Sequence, residues 1–273
     1  MEKTIAILGA GFVGALAYTF SDTFWFSAVE AEVYSTSSLF TALVFWAILK
    51  WEDQADDPQS FRWILLIAYL VGLSIGVHLL NMLAIPAVIF VYFFKKYEFN
   101  WKRLLIAGGI AGLLVLFMIF GFIPGISKLG SKFELLFVNS FGMSYNSGLI
   151  IFAFFILAII FGLLFYAIQY HKEVLKKVVL AFTLLLVGYS SYAMIIIRSS
   201  AETPMNKNAP DNPFALLDYL NREQYGENPL VYGQYYTVPY MDSHDGKPIY
   251  AKMDGKYEII EHRPEFDYDH AGC

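Results

Sequence analysis

Charge is scarce in this chain of 273 residues: Asp, Glu, Lys and Arg make up 16%, where an ordinary soluble domain has about 25%. That scarcity excludes a soluble enzyme with a charged surface, and the apolar content excludes a disordered chain. Cysteine is nearly missing. The single Cys273 is the last residue, which excludes an internal disulfide framework and a metal site built from cysteines alone. An excess of basic residues is also missing, with 19 Lys and Arg against 24 Asp and Glu, so there is no nucleic-acid footprint.

What is present is apolar, with 57% hydrophobic residues and a mean hydropathy of +0.50. The charges are unevenly placed. From Arg198 onward seven basic residues face thirteen acidic ones, a net −6, whereas the first 197 residues carry twelve against eleven, a net +1. The chain divides on this basis into a membrane body at 1–197 and a polar, acidic tail at 198–273.

A helix rising 1.5 Å per residue needs about 20 apolar residues to cross a hydrocarbon core of ~30 Å. Seven runs qualify as candidates: Thr4 to Phe20, Tyr34 to Leu49, Trp63 to Leu80, Met82 to Phe94, Leu104 to Ile123, Leu149 to Ile168 and Val178 to Ile197. The fourth is short and contains Pro86, so it reads as the return leg of a tight hairpin through Leu79-Leu80-Asn81. Loop charges support the threading, since Lys and Arg favour the cytoplasmic side. Lys3, Lys50, Arg62, Lys95, Lys96, Lys102, Arg103, Lys172, Lys176 and Lys177 fall on one face, and Lys128, Lys132 and Arg198 on the other. This places the N-terminus in the cytoplasm and the acidic tail outside.

The outer segments hold the candidate chemistry. Ser21 to Tyr34 reads as a loop with three carboxylates, Asp22, Glu30 and Glu32, no basic residue and an aromatic cluster including Trp25 and Tyr34. Aromatics here also suit an interfacial belt, but acids at membrane depth are costly and tend to serve ion, proton or substrate chemistry. His78 and Asn81 stand three apart at the hairpin turn, on one side of a helix if the turn stays helical, and face the same compartment. Gly125 to Asn146 reads as a longer outer loop whose Phe133 to Val138 stretch packs against lipid.

Three patterns are weaker than they look. Gly9-Ala10-Gly11-Phe12-Val13-Gly14 matches the dinucleotide fingerprint on paper, but its physics requires a soluble βαβ unit; small residues in a membrane helix more simply allow close helix packing. Ala15-Leu16-Ala17 after an apolar run imitates a signal-peptide cleavage site. Glu52, Asp53, Asp56 and Asp57 could hold a hard cation but read more simply as a solvated cytoplasmic connector, and His262, Asp267, Asp269, His270 and Cys273 lack a recognised ligand spacing, so no metal is assigned.

In the tail, Asn212-Pro213 pairs a polar cap with proline at the first helical position. Phe214, Leu217 and Leu220 follow as an apolar face, with Gly226 as the stop. Pro229 to Tyr236 is strand-like, and Ile249 to Ile260 reads as a hairpin around Asp254-Gly255. Tyr219, Tyr232, Tyr235, Tyr236 and Tyr240 suit either strand packing or a platform for a sugar or peptide. The fold class expected is mainly α, a polytopic membrane helix bundle of about seven spans, with a small extramembrane α+β segment.

Three stretches carry a family resemblance: Phe20 to Tyr34, Gly72 to Asn81, and Ile197 to Met205, with Tyr219 to Gly226 in support. They resemble the bacterial membrane family of the transmembrane-protein-260-like type, related to protein O-mannosyltransferases of the GT-C superfamily. The resemblance implies a bacterial inner-membrane enzyme with its tail in the periplasm. It would take a sugar, mannose among the candidates, from a polyprenyl-phosphate donor and pass it to a hydroxyl on a protein or glycan acceptor. No cofactor is implied; the lipid-linked sugar is the substrate. Asp22, Glu30 and Glu32 are then the candidate catalytic carboxylates, with Trp25, Tyr34, His78, Asn81 and Arg198 as substrate-binding candidates.

One departure stands out. Family members carry further spans upstream and an Asp-Cys-Gly-Glu type motif in the first outer loop, and this sequence has no such motif. The expectation is an N-terminally truncated chain whose remaining acids are secondary, with its activity on its own left open. Two other classes stay open, a transporter or channel with the acids and His78 as a polar pathway, and a noncatalytic membrane scaffold.

Overall fold

The computed structural model describes residues 2–30, 33–201, 203–206, 208–225 and 240–268. Contacts divide it into two compact units, one of Met1–Val115 with Glu173–Ser191 and one of Leu116–Lys172 with Tyr192–Cys273.

The first unit is helical. It comprises α1 (Glu2–Thr19), α2 (Asp22–Val29), α3 (Tyr34–Asp53), α4 (Phe61–Ile75), α5 (Ala84–Lys96), the start of α6 (Trp101–Leu116) and α9 (Glu173–Tyr189). A 61° bend separates α1 from α2. The backbone turns extended at Ser21, whose hydroxyl donates to the carbonyl of Tyr18 at 2.8 Å. The acidic segment after Ser21, expected as a loop, is therefore a short helix through Val29. Serine, favoured at caps and turns for its local backbone bonds, marks the break.

The core of this unit is formed by Val44, Ala47, Ile48 and Trp51 of α3 against Ile67, Leu70 and Val71 of α4 and Ala84 of α5. Pro86 is the third residue of α5, where its absent N–H is one that the first helical turn leaves unpaired anyway. The hairpin expected between the third and fourth runs forms, but its turn is a 3₁₀ segment at Leu79–Leu83. Gly72 and Gly188 set the contact between α4 and α9. A Cβ on Gly72 would collide with the carbonyl oxygen of Leu185, and one on Gly188 with the backbone of Tyr69 and Leu73. Glycine is required here because the two backbones touch. Gly9, Gly11 and Gly14 of α1 have nothing within 4 Å of such a Cβ, so the packing role read for them has no partner among the described residues, and no βαβ unit surrounds them.

The second unit contains a π-helical segment at Phe117–Phe122, α7 (Ile123–Leu135), a second π segment at Leu136–Ser140, α8 (Ser147–Gln169), α10 (Ala193–Ser199) and α11 (Pro213–Leu220). It also contains an antiparallel hairpin, β1 (Tyr240–Met253) and β2 (Lys256–Tyr268). The outer loop expected over Gly125 to Asn146 is mostly helix instead. Trp101–Ser140 is one helical stretch of 40 residues, and Pro124, which has no N–H to donate, falls where the π-helical segment Phe117–Phe122 gives way to α7.

The tail follows its local signals where it is described. The Asn212 side chain accepts from the amides of Phe214 and Ala215, both at 3.0 Å, a helix cap of the expected kind. Asp254 and Gly255 both have positive φ, 47° and 81°, as a two-residue hairpin turn of the primed type requires. The hairpin is longer than read, pairing Met253 with Lys256 and extending to Tyr240 with Tyr268. Arg263 of β2 pairs with Asp218 of α11 at 2.8 Å and with Glu223 at 3.5 Å, and Glu223 also takes Lys247 of β1 at 2.8 Å. Burial raises the Asp218 carboxyl above the usual carboxylate range, against the pull of Arg263. Glu32, the Pro229 to Tyr236 strand with its tyrosines, and Asp269, His270 and Cys273 lie outside the described residues.

All seven apolar runs are helical for most of their length. Four helical stretches, Leu79–Lys96, Trp101–Ser140, Ser147–Gln169 and Glu173–Ser199, are long and apolar enough to cross a membrane, and a fifth if the bent pair α1 and α2 counts as one. Phe61–Ile75 is apolar but shorter. The count of about seven is thus four or five by length and composition, because the first run is bent, the second, α3, opens on Tyr34-Ser35-Thr36-Ser37-Ser38 and is less apolar, and the third ends early at Gly76.

Candidate functional site

Among the predicted residues, the structure assembles one polar cluster in the first unit. Asn81, 4% exposed, sits in the 3₁₀ turn between α4 and α5. Its Oδ1 accepts from Ser37 Oγ and from Thr41 Oγ1, both at 2.8 Å. Ser37 and Thr41 are one turn apart on α3, so their hydroxyls lie on one face and converge on a single acceptor. The Asn81 amide nitrogen has no hydrogen-bond partner among the described residues. A buried polar group left so costs about 1–3 kcal/mol, and it is a donor ready for an acceptor atom.

Beside it, His78 precedes the 3₁₀ turn with an extended backbone, and its Nδ1 accepts from the amide of Leu80 at 3.2 Å. That bond places the ring proton of a neutral imidazole on Nε2. The rings of Tyr34 and His78 are 5.6 Å apart and tilted by 57°. His78 and Asn81 do not share one face of an α-helix as expected, since the helix ends before them; Tyr34, Ser37 and Thr41 of α3 are the partners instead.

The carboxylates stand apart from this cluster. Asp22 opens α2 and Glu30 caps its end. Both side chains are exposed and make no hydrogen bond or ion pair among the described residues. Trp25 stacks on Phe20 with ring centres 5.9 Å apart. Arg198, on the last turn of α10, is exposed and belongs to the other unit.

The residue that sequence reading missed is Glu134, 0% exposed in the second unit. Its Oε1 accepts from the amide of Asn146 at 2.6 Å and its Oε2 from the amide of Leu149 at 3.1 Å. The carboxylate thereby caps the N-terminus of α8, where a negative charge meets the positive end of the helix dipole. Gly148 makes this approach feasible, because a Cβ there would collide with the Glu134 backbone. The Tyr257 hydroxyl donates to Glu134 Oε1 at 3.1 Å. Burial, reinforced by the adjacent Glu134 carboxylate, raises the Tyr257 hydroxyl above the usual tyrosine range. Asn139 completes the docking, its Nδ2 donating to the Tyr257 carbonyl at 2.7 Å and its Oδ1 accepting the Tyr257 amide at 2.9 Å. A lone acid in an apolar run was the available signal.

These elements define a polytopic membrane helix bundle with a small α+β segment, an integral membrane protein. Residues 1–101 match the family described as the protein O-mannosyl-transferase TMEM260 N-terminal domain, and residues 226–273 match a family of unknown function (DUF8416). The transmembrane-protein-260-like resemblance is borne out over those first 101 residues, which include Phe20 to Tyr34 and Gly72 to Asn81. Comparison with curated proteins and with solved structures found no match.

Proposed function

We propose that the chain serves as a GT-C-type membrane glycosyltransferase, passing a sugar from a polyprenyl-phosphate donor to an acceptor hydroxyl on a protein or glycan. The observation that carries this reading is the match of residues 1–101 to a domain named for O-mannosyl transfer. The polar cluster around Asn81 lies within that matched segment, as do Asp22, Glu30 and Glu32.

In the proposed step the acceptor oxygen attacks the anomeric carbon of the sugar, the bond from that carbon to the phosphate oxygen breaks, and the polyprenyl phosphate departs. The acceptor proton passes to a carboxylate, for which Asp22, Glu30 and Glu32 are the candidates. The Asn81 amide and the His78 Nε2–H offer donors to sugar or acceptor oxygens, and Trp25 and Tyr34 offer ring faces of the kind sugars pack against. Arg198, exposed on α10, is available to a lipid phosphate. The reading carries with it a bacterial inner membrane, a cytoplasmic N-terminus, a body at 1–197 and a periplasmic tail at 198–273.

The test is sugar transfer by the full chain reconstituted with polyprenyl-phosphate mannose and a membrane extract as acceptor source. Asp22→Asn, Glu30→Gln and Glu32→Gln are expected to lower transfer, and Asn81→Ala to lower it with a higher donor KM. Transfer unchanged in all three carboxylate variants removes their role.

A further inference from the structure

At one end of the first unit, the connection between α3 and α4, the last turns of α5, the first turns of α6 and Lys177 of α9 enclose a groove of about 910 Å³. Its walls are apolar along two helices, with Val88 and Ile89 from α5 and Ile106, Ala107 and Ile110 from α6. Its mouth carries three cations, Lys96, Arg103 and Lys177, against one acid, Asp57. None of these residues belongs to the Asn81 cluster or to the candidate carboxylates.

The three cations differ in how far they are engaged. Lys96 is held by the Ala55 carbonyl at 3.0 Å and by Asp56 at 3.2 Å. Lys177 lies over the Phe61 ring, 5.6 Å from its centre. Arg103 is exposed and makes no hydrogen bond or ion pair among the described residues. A guanidinium with its fork of donors unused is suited to two phosphate oxygens at once. Below it, Ile106, Ala107 and Ile110 follow on the same face of α6, the last of them about 10 Å beyond Arg103 at 1.5 Å per residue. Ala107 is 6% exposed and forms the floor, whereas Ile106 and Ile110 are 61% and 49% exposed and form the open side. The groove thus joins a net positive mouth to an apolar channel.

We propose that this groove binds an anionic phospholipid of the bilayer, its phosphate on Arg103 and Lys177 and one acyl chain along α6. Free phosphate would leave the apolar channel empty. A zwitterionic lipid would bring a second cation to a mouth that already holds an excess of positive charge. Basic pockets between membrane helices recognise anionic headgroups on this physical basis. The proposal stands apart from sugar transfer, so either can fail without the other.

The experiment is native mass spectrometry of the full chain in detergent, titrated with phosphatidylglycerol, with phosphatidylcholine and with inorganic phosphate. Phosphatidylglycerol is expected to be retained about tenfold better than phosphatidylcholine, the scale of one to two headgroup cations. The exposed-site variant Arg103→Gln with Lys177→Gln should erase that preference. Ala107→Phe, which fills the channel and keeps both cations, should lower retention of both lipids while inorganic phosphate binds no better. Equal retention of the two lipids, a preference untouched by the Gln variants, or displacement of phosphatidylglycerol by inorganic phosphate would each overturn the proposal.

Discussion

The Tyr257 hydroxyl, carried on a strand of the C-terminal hairpin, donates at 3.1 Å to the carboxylate of Glu134, a side chain 0% exposed between α7 and α8. The same carboxylate oxygen accepts the amide of Asn146. One acid therefore holds both a helix N-terminus and the hairpin. Glu134→Ala removes two amide bonds and the tyrosine contact at a closed site, and is expected to destabilise the protein by about 3 kcal/mol. Tyr257→Phe loses one hydrogen bond and should cost about 1 kcal/mol. Thermal unfolding in detergent measures both. Hydrogen exchange separates them, since only Glu134→Ala should also expose the amides of Asn146 and Leu149.

The Tyr257 contact predicts an alkaline limit to hairpin docking. Burial raises the folded-state pKa of this hydroxyl above its unfolded value, so the neutral form is the one the docked state favours. Its contribution is fully present below the ordinary tyrosine pKa of about 10 and declines above it, as the undocked chain ionises first. Hydrogen-exchange protection of Tyr257 and Glu258 should be flat from pH 6 to 9 and fall above pH 10. In Tyr257→Phe that fall should shrink, and an equal fall in both proteins would assign the effect to other groups.

Glycine positions in α4 and α9 should behave unlike those in α1. Gly188→Leu must push apart two backbones in contact and is expected to cost about 3 kcal/mol. Gly9→Leu and Gly14→Leu meet nothing within 4 Å and should leave the unfolding temperature unchanged within error. A comparable loss at Gly14 would show that α1 has a partner of its own.

The Asn81 cluster should show coupling. Asn81→Ala breaks two hydrogen bonds and should cost about 2 kcal/mol, and the paired Ser37→Ala and Thr41→Ala variant a similar amount, because either change leaves buried polar atoms unpaired. The triple variant is expected to cost clearly less than the sum, since no orphaned group remains. Additive losses would mean that the three side chains act independently.

The threading is testable with the cysteine count itself. With Cys273→Ser as background, Lys96→Cys and Ser199→Cys provide one thiol each. An impermeant maleimide should label them from opposite sides of sealed vesicles, and labelling of both from one side refutes the proposed orientation.

Much of the local structure was legible because its causes are local. Asn212-Pro213 announces a helix start and Asp254-Gly255 a tight hairpin through backbone preferences that hold wherever the chain goes. The apolar runs announce helices for the same reason. The helix after Ser21 was harder to see, since Ser21, Asp22 and Thr23 read as loop, and so was the early end of α4 at Gly76, since Trp63 to Leu80 is a predominantly apolar run. Of the candidate site, the sequence singled out Tyr34, His78 and Asn81 but gave no sign of the two hydroxyls that hold Asn81. Ser37 and Thr41 lie about 40 residues away, and only packing of α3 against the turn makes them neighbours.

By itself the sequence determined that this protein lives in a membrane, that its acidic residues concentrate at its C-terminal end, and where its apolar helices and the turn of its hairpin lie. Those follow from the transfer of apolar side chains out of water and from the φ and ψ preferences of single residues. Only the tertiary structure decided that Glu134 is a buried cap, that Gly72 and Gly188 are a backbone contact, and that a cationic groove opens beside α6. Each of these joins groups distant in the chain, and no periodicity records which distant groups meet.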